Sequence, residues 1–533
     1  MFEGENHREK VLVLLTMCFA LFMAMLDNTV VNVALPTLSV KLGAGVSGLQ
    51  WIVDGYVLAF ASLMLTGGIM GDRYGRKRMF LSGLALFTLS SALCGLSGSA
   101  LMNALTFNSL SATGQLIATR ALQGVGAALL MPGTLSIITV TFPPHERAKA
   151  IGMWAGVSGL ALAAGPTAGG WLVEHAGWQS VFFLNVPIGI VGLFVGTKVV
   201  KESRSEHARS LDIWGLALGT GALFTVTYGM IEANTKGWSD PIILTSLTAG
   251  LALLIGFILY ERHATDPMMP LSYFRIPAFA AGNMVAFAVS LGMFGTFFFM
   301  SLYMQFIRGY SAFQTGLRFV PMTGMIVFAA PLAGRYASKH GSRKPMVLGL
   351  SMAGVGLMVL SRAHVDTNFM LILPVLMVMG SGMGMTMTPM TAAVMNSVGH
   401  ARAGLGSAVT NTFRETGGVF GIALLGTLLT TKMQGSLRTG LSSIALPASV
   451  KSSIIAGAGH GFTSSNTAGL PPAQAGAVKE AFGLAFLDGF HLALLVGGLV
   501  VLVAAFVSAR FIPAGAPERA PGDEPSLTVA AGH

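Results

Sequence analysis

Gly68-Ile69-Met70-Gly71-Asp72-Arg73-Tyr74-Gly75-Arg76-Lys77-Arg78 is a charged turn set between two apolar runs, near 47–70 and 79–97. Each run approaches the length a helix needs to cross a hydrocarbon layer of about 30 Å. The turn therefore joins two membrane spans. Gly75 permits the tight reversal, and the four basic residues hold the turn on one side of the bilayer. A degenerate copy, Gly334-Arg335-Tyr336 followed by His340-Gly341-Ser342-Arg343-Lys344, lies between two further runs, near 314–334 and 345–362.

Working outward from these turns gives fourteen apolar runs, near 11–35, 47–70, 79–97, 115–138, 149–172, 180–199, 211–233, 241–260, 279–303, 314–334, 345–362, 369–394, 404–430 and 486–509. Hydrophobic residues make up 53% of the 533-residue chain and charged residues 10%, against about 25% charged in an ordinary soluble domain. A single anchor would be diluted well below the mean hydropathy of +0.69, so the protein is polytopic. The first run is longer than a signal-peptide core, carries Asp27 and leads straight into further spans, which argues against cleavage. An even span count places both termini on one side. Of the 32 Lys and Arg residues, 21 fall in segments on the same side as the termini, nine fall opposite, and Arg120 and Arg414 lie within spans. That bias predicts cytoplasmic termini. It also accounts for the net charge of +10 without nucleic acid.

The two basic turns stand eight spans apart, and so do His145-Glu146-Arg147-Ala148 and His400-Ala401-Arg402-Ala403. Two six-span halves around an inserted pair generate that shift. The expected fold is an all-α, 14-span bundle with parallel repeats, divided as 1–200, an inserted pair in 201–278, and 279–510, with a disordered tail over 511–533. Two outer loops look long, 98–114 and 431–485. In the latter, Ile444, Leu446, Val450, Ile454 and Ile455 suggest a short amphipathic element around Pro447 that folds over the outer mouth, or else a tolerated surface insertion; 457–476 reads as flexible.

The turn at 68–78 resembles the signature loop of the major facilitator superfamily. Leu26-Asp27-Asn28-Thr29-Val30-Val31-Asn32-Val33-Ala34-Leu35-Pro36, Arg120-Ala121-Leu122-Gln123-Gly124-Val125-Gly126, Gly165-Pro166-Thr167-Ala168-Gly169-Gly170 and Trp178 through Asn185-Val186-Pro187-Ile188-Gly189 resemble further signatures of its 14-span drug:proton antiporters. The resemblance covers spans 1 to 14. It implies proton-driven export of drugs or antibiotics by alternating access, with small molecules, protons and the bilayer as partners.

Physical readings of the same residues stand beside the resemblance. Asp27 lies well inside span 1, where a central Asp costs about 2.5–3.5 kcal/mol. It is either a proton-coupling carboxyl or a structural Asp bonded to another helix. Asn28 and Asn32 suggest a polar edge facing a cavity. Arg120 in span 4 either tunes a carboxyl as it approaches and withdraws or forms a fixed ion pair, with Gln123 one turn on. Span 13 carries Asn411, Arg414 and Glu415. Glu415 is a second proton or cation site if it faces the cavity, and a structural group if Arg414 holds it permanently. Asp54 is expected about one turn into span 2 with water close by, as an interfacial acid or a cation-attracting mouth. Asp72, Gly75 and Arg76 form a candidate latch for one conformation, beyond their role in topology. Gly152, Gly156, Gly159, Ala163, Gly165, Pro166, Gly169 and Gly170 make a small-residue stripe through which another helix approaches closely, a sliding seal between halves or generic packing. Met383, Met385, Met387 and Met390, with Phe294, Phe297, Phe298 and Phe299, suit a pocket that repacks around varied ligands, or simply a core.

Cys18 and Cys94 both lie in apolar runs, so no disulfide framework or thiolate metal site is expected. There is no Walker loop, H-E-x-x-H or G-x-S-x-G, so neither an enzyme nor direct use of ATP is expected. The expected function is a monomeric, cofactor-free, proton-coupled exporter of amphipathic cationic or neutral compounds across the cytoplasmic membrane. The alternatives are a dedicated exporter of one endogenous metabolite or self-made antibiotic, and a transporter-like sensor.

Overall fold

The computed structural model describes residues 7–204, 210–269, 271–398, 403–458 and 470–515. Those residues contain helices and no strand. The first bundle comprises α1 (His7–Leu42), α2 (Val46–Tyr74), α3 (Arg76–Gly95), the short α4 (Ala100–Leu105), α5 (Ala112–Thr141), α6 (Pro144–Ala176), and α7 (Ser180–Phe183) with α8 (Asn185–Val199). An inserted pair follows, α9 (Ile213–Lys236) and α10 (Pro241–Glu261). The second bundle is α11 (Pro277–Leu302), extended by a π turn at Tyr303–Ile307, α12 (Ala312–His340), α13 (Arg343–Leu360), α14 (Phe369–Val398), α15 (Ala403–Ser442), α16 (Ala448–Ala458) and α17 (Pro472–Phe511).

Local chemistry sets the helix ends. The Ser99, Ser111 and Asp240 side chains cap α4, α5 and α10 by accepting from backbone N–H groups, and Ser311 with Gln314 makes a capping box on α12. Gly75 and Gly341 have φ of +118° and +90°. The two related turns thus reverse the chain through a conformation that a side chain would strain.

Thirteen helical segments among the described residues are long and apolar enough to cross a membrane. The fifth apolar run folds as α6, a further helix of 33 residues packed between α1 and α12. The sixth run is broken at Leu184 into α7 and α8.

The two long loops are more helical than expected. α15 runs on to Ser442 and α17 begins at Pro472, so 431–485 is mostly helix. Met433, Leu437 and Leu441 are buried on one side of the α15 extension, Val478 and Phe482 on that of α17, and the Ser436 hydroxyl donates to Asp488 across them at 2.6 Å. A hydropathy average falls where one face turns polar, although the helix continues. α16 forms around the expected apolar cluster, with Ile454 buried and Ile444, Leu446, Val450 and Ile455 packed against the core. Residues 459–469, His400 through Arg402 and 516–533 lie outside the described residues.

Packing repeats between the bundles: α2 packs on α5 as α12 does on α14, and α1 packs on α6 as α11 does on α15. Two crossed seams join them, α6 with α12 and α2 with α15. Without a hydrophobic force between helices in lipid, close backbone approach supplies the attraction. At the end opposite the basic turns the seams are tight. A β-carbon on Gly316 would stand 2.1 Å from the Pro166 carbonyl oxygen, and one on Gly170 2.4 Å from that of Ala312. Gln50 of α2 donates to the Ile422 carbonyl of α15 at 2.9 Å, and Gln305 donates to that of Val33 at 3.0 Å. Toward the basic end the α6–α12 seam loosens. Gly159 clears Val327 by 3.5 Å, and Gly156 and Gly324 meet nothing within 4 Å.

α9 of the inserted pair straps this closed end. Glu232 of α9 accepts from Trp51 Nε1 at 3.0 Å and Ser47 at 3.2 Å on α2, while Thr427 of α15 donates to the Met230 carbonyl at 2.6 Å.

Candidate functional site

Among the described residues Asp27, Arg120, Asp54, Arg414 and Glu415 lie deep within spans, and the structure sorts them into two groups. Asp27 and Arg120 form a wholly buried pair inside the first bundle, with Arg120 Nη1 2.5 Å from Asp27 Oδ2. Gln123 and Asn185 donate to Asp27 Oδ1 at 3.0 and 2.8 Å. Arg120 also donates to Gln123 Oε1 at 2.7 Å and the Ile52 carbonyl at 3.2 Å, and its guanidinium stands 4.2 Å from the Tyr56 ring centroid. Ser91 links Gln123, Asn185 and the Phe182 carbonyl. Of the two readings of Arg120, this conformation displays the ion pair. It is closed by donors from α5 and α8, and of its buried polar atoms Arg120 Nη2 and Asn185 Oδ1 lack a partner.

The second group follows the α2–α15 interface. Asp54 is not near water as expected: it is wholly buried, and neither carboxyl oxygen has a hydrogen-bond partner. It lies one turn from Gln50 on the same face of α2, which directs it at the seam. Glu415 is buried as well. Its Oε1 accepts from Arg414 at 3.2 and 3.4 Å while Oε2 has no partner. Asn28 and Asn32 are buried with free Oδ1 atoms, and Asn32 Nδ2 donates to the Asn28 carbonyl at 2.9 Å. Asn411 and Arg414 are half-buried. Met383, Met390 and Phe297 to Phe299 are buried in the core, while Met385, Met387 and Phe294 are half-buried.

The sequence profile of the major facilitator superfamily matches residues 17–422. The chain belongs to the major facilitator superfamily. A tetracenomycin C resistance and export protein of Streptomyces glaucescens is 34% identical over 522 residues, covering 97% of this chain and 95% of its own. The multidrug resistance protein Stp of Mycobacterium tuberculosis (strain CDC 1551 / Oshkosh) is 31% identical, covering 95% and 93%. Among solved structures, a bacterial homolog of the human lysosomal transporter Spinster, inward-facing and unoccupied, aligns with a TM-score of 0.62 at 16% identity, covering 96% of this chain and 99% of its own. That likeness speaks to the fold.

As a major facilitator, the chain uses its signature loop as a compact brace. Asp72 Oδ1 accepts from Arg76 Nε and Nη2 at 3.0 and 2.7 Å. Glu202, in the segment after α8, caps the start of α3 by accepting from the Lys77 and Arg78 backbone at 3.1 and 3.3 Å, and its carboxylate fills the space beside Gly75. Because Asp72 is 42% exposed, its pair contributes only about 0–1 kcal/mol. Asp72→Asn is therefore expected to leave thermal stability within that range and slow turnover several-fold with unchanged substrate affinity. Binding and transport measured on one preparation check this; a large loss of affinity would refute it.

In the small-residue stripe, Gly165 and Gly169 lie against Thr29 and Val30 of α1, whereas Pro166 and Gly170 lie against α12 across the seam. The stripe thus packs against both its own bundle and the facing one. Ser91, Tyr56 and Glu202 carry no expectation from the sequence, and Asn185 enters there only within the Trp178–Gly189 resemblance. The available signal for Asn185 and Ser91 was a polar residue inside an apolar run.

Proposed function

We propose that this chain is a proton-coupled antiporter that exports amphipathic organic compounds, antibiotics among them, across the cell membrane by alternating access. The basic turns and both termini face the cytoplasm, and the proton gradient drives the cycle without a cofactor. Full-length similarity to resistance and export proteins supports the export reading. In this orientation the conformation is inward-facing, sealed outside by the α6–α12 and α2–α15 contacts.

The observation that carries the coupling is the placement of Asp54, enclosed without a donor beside a seam that must open and close. An ionised carboxylate buried there without hydrogen bonds is costly, whereas the protonated acid is far less so. A proton is thus a ligand of the closed outer seam. Release of the proton to the cytoplasm favours opening of that seam outward, and substrate loaded from the cytoplasm leaves as it opens. Proton entry and export are thereby linked as exchange. Asp27 and Arg120, hydrogen-bonded across α1, α5 and α8, bias the first bundle's conformation in concert, and Glu415 offers a further proton site.

The test is uphill accumulation in inverted vesicles under an imposed pH gradient, followed with a fluorescent aromatic drug. Wild-type protein is expected to accumulate substrate and to lose the gradient effect when protonophore is added. Asp54→Asn is expected to retain downhill movement but to lose accumulation and most pH dependence. Full uphill accumulation by Asp54→Asn would remove Asp54 from the coupling, and accumulation by the wild type that ignores the pH gradient would reject proton exchange altogether.

A further inference from the structure

The charge that the transport cavity shows to a ligand is set by which interior ionisable groups stay accessible. Among the described residues, Asp27, Asp54 and Arg120 are fully buried and Glu415 is 2% exposed. The Arg414 side chain, by contrast, is 26% exposed. α15 packs against α2 and α9 as well as α11, α14 and α17, and Arg414 lies about two turns from Ile422 toward the basic turns; its accessible face is assigned to the gap between the bundles. The hydrogen bonds from Arg414 to its neighbour Glu415 are long, at 3.2 and 3.4 Å, and converge on one oxygen. They leave much of the planar fork of donors unengaged.

The residues beside Arg414 define what the fork would meet. Asn411, one turn back on the same side of α15, is half-buried and brings an amide. Gly418, one turn forward, has no side chain, and the half-buried Phe294 ring of α11 lies 3.2 Å from where its β-carbon would stand. A guanidinium with an amide one turn back and an aromatic ring beside the next turn suits a flat molecule with an oxygen acceptor at its edge. The fork binds carboxylate-like groups with two parallel hydrogen bonds.

We propose that Arg414 determines substrate class, selecting planar aromatic compounds that carry a carboxylate, phenolate or quinone-type oxygen over aromatic cations. This rests on the export reading and narrows it. The buried acids do not present their charge to a ligand, and the partly exposed Arg414 does.

The test uses three fluorescent probes sharing one ring system: 2-anthroate, its neutral methyl ester, and an anthracenylmethyl-trimethylammonium cation. Binding is measured by fluorescence on the full-length protein in nanodiscs. The native protein is expected to bind anthroate about tenfold or more tighter than the cation, the scale of one charge-assisted hydrogen-bonded contact. Arg414→Gln is expected to weaken anthroate about tenfold while the ester changes less than about twofold, and Arg414→Lys to recover part of the preference. Tighter binding of the cation to the native protein, or equal loss of acid and ester in Arg414→Gln, overturns the proposal. The order among probes is read on native protein, so a variant that fails to fold does not remove the test. Uphill export of anthroate from vesicles tests the carrier reading separately. Its absence with the charge preference intact rejects export alone, and its presence without any preference rejects this inference alone.

Discussion

Asp27→Ala is expected to abolish uphill export and to lower stability by about 3–5 kcal/mol, the range seen when one partner of a buried ion pair is removed. The reason is what the substitution leaves behind. Arg120 is fully buried, and its remaining acceptors are the Gln123 side chain and the Ile52 carbonyl, neither of which carries a counter-charge. Gln123 and Asn185 each also lose the acceptor they share on Asp27. Asp27→Asn keeps one acceptor oxygen but not the charge, so it too destabilises, by a smaller amount. The paired variant Asp27→Asn with Arg120→Gln removes both charges while keeping hydrogen-bonding groups at each position. It is expected to recover most of the stability and none of the export. Thermal unfolding in detergent and accumulation ratios in inverted vesicles, measured on all three variants, separate folding from coupling. A single variant with a native midpoint and full uphill export would show that the pair is dispensable for both.

Gly316→Ala is expected to wedge the closed end apart. The added carbon would stand 2.1 Å from the Pro166 carbonyl oxygen and 3.0 Å from Thr167 Cα. The obstacle is backbone, which cannot rotate away as a side chain can. Overpacking costs about 1–3 kcal/mol, enough to move a balanced two-state equilibrium by about fivefold to somewhat over a hundredfold. The outward-open population should rise and export should fall by a comparable factor. Spin labels at His175 on α6 and Leu317 on α12, both exposed, should report a longer distance across the seam. Gly159→Ala is the matched control. It belongs to the same stripe but meets Val327 at an ordinary 3.5 Å, and it is expected to change the distance little. Equal effects of the two substitutions would mean that the stripe contributes only general flexibility.

The span pattern was legible because a bilayer of about 30 Å imposes a length on every apolar run, and α6 and the broken α7–α8 both fall on runs read that way. The turns at Gly75 and Gly341 were legible for a related reason, since a reversal there calls for a backbone that only glycine adopts without strain. Asp27, Arg120, Gln123 and Glu415 stood out because a polar group inside an apolar run is costly enough to require a role. The helical extensions to Ser442 and from Pro472 were not legible. Their apolar side chains occupy one face, and a window average mixes that face with the polar one.

By itself the sequence determined an all-helical, many-span protein with two related basic turns and a short set of intramembrane charges, all of which follow from the cost of placing polar groups in lipid. Only the tertiary structure decided what each charge does. Asp27 and Arg120 are 93 residues apart in the chain, and no spacing reveals that α1 and α5 bring them together. Asp54 is wholly buried on the face of α2 that carries Gln50, which α15 meets, while the Arg414 side chain on α15 stays 26% exposed. Whether a charge is paired, hidden or presented is a property of the neighbouring helices. Those neighbours are fixed by glycines meeting across seams, contacts that span hundreds of residues and leave no local periodicity to read.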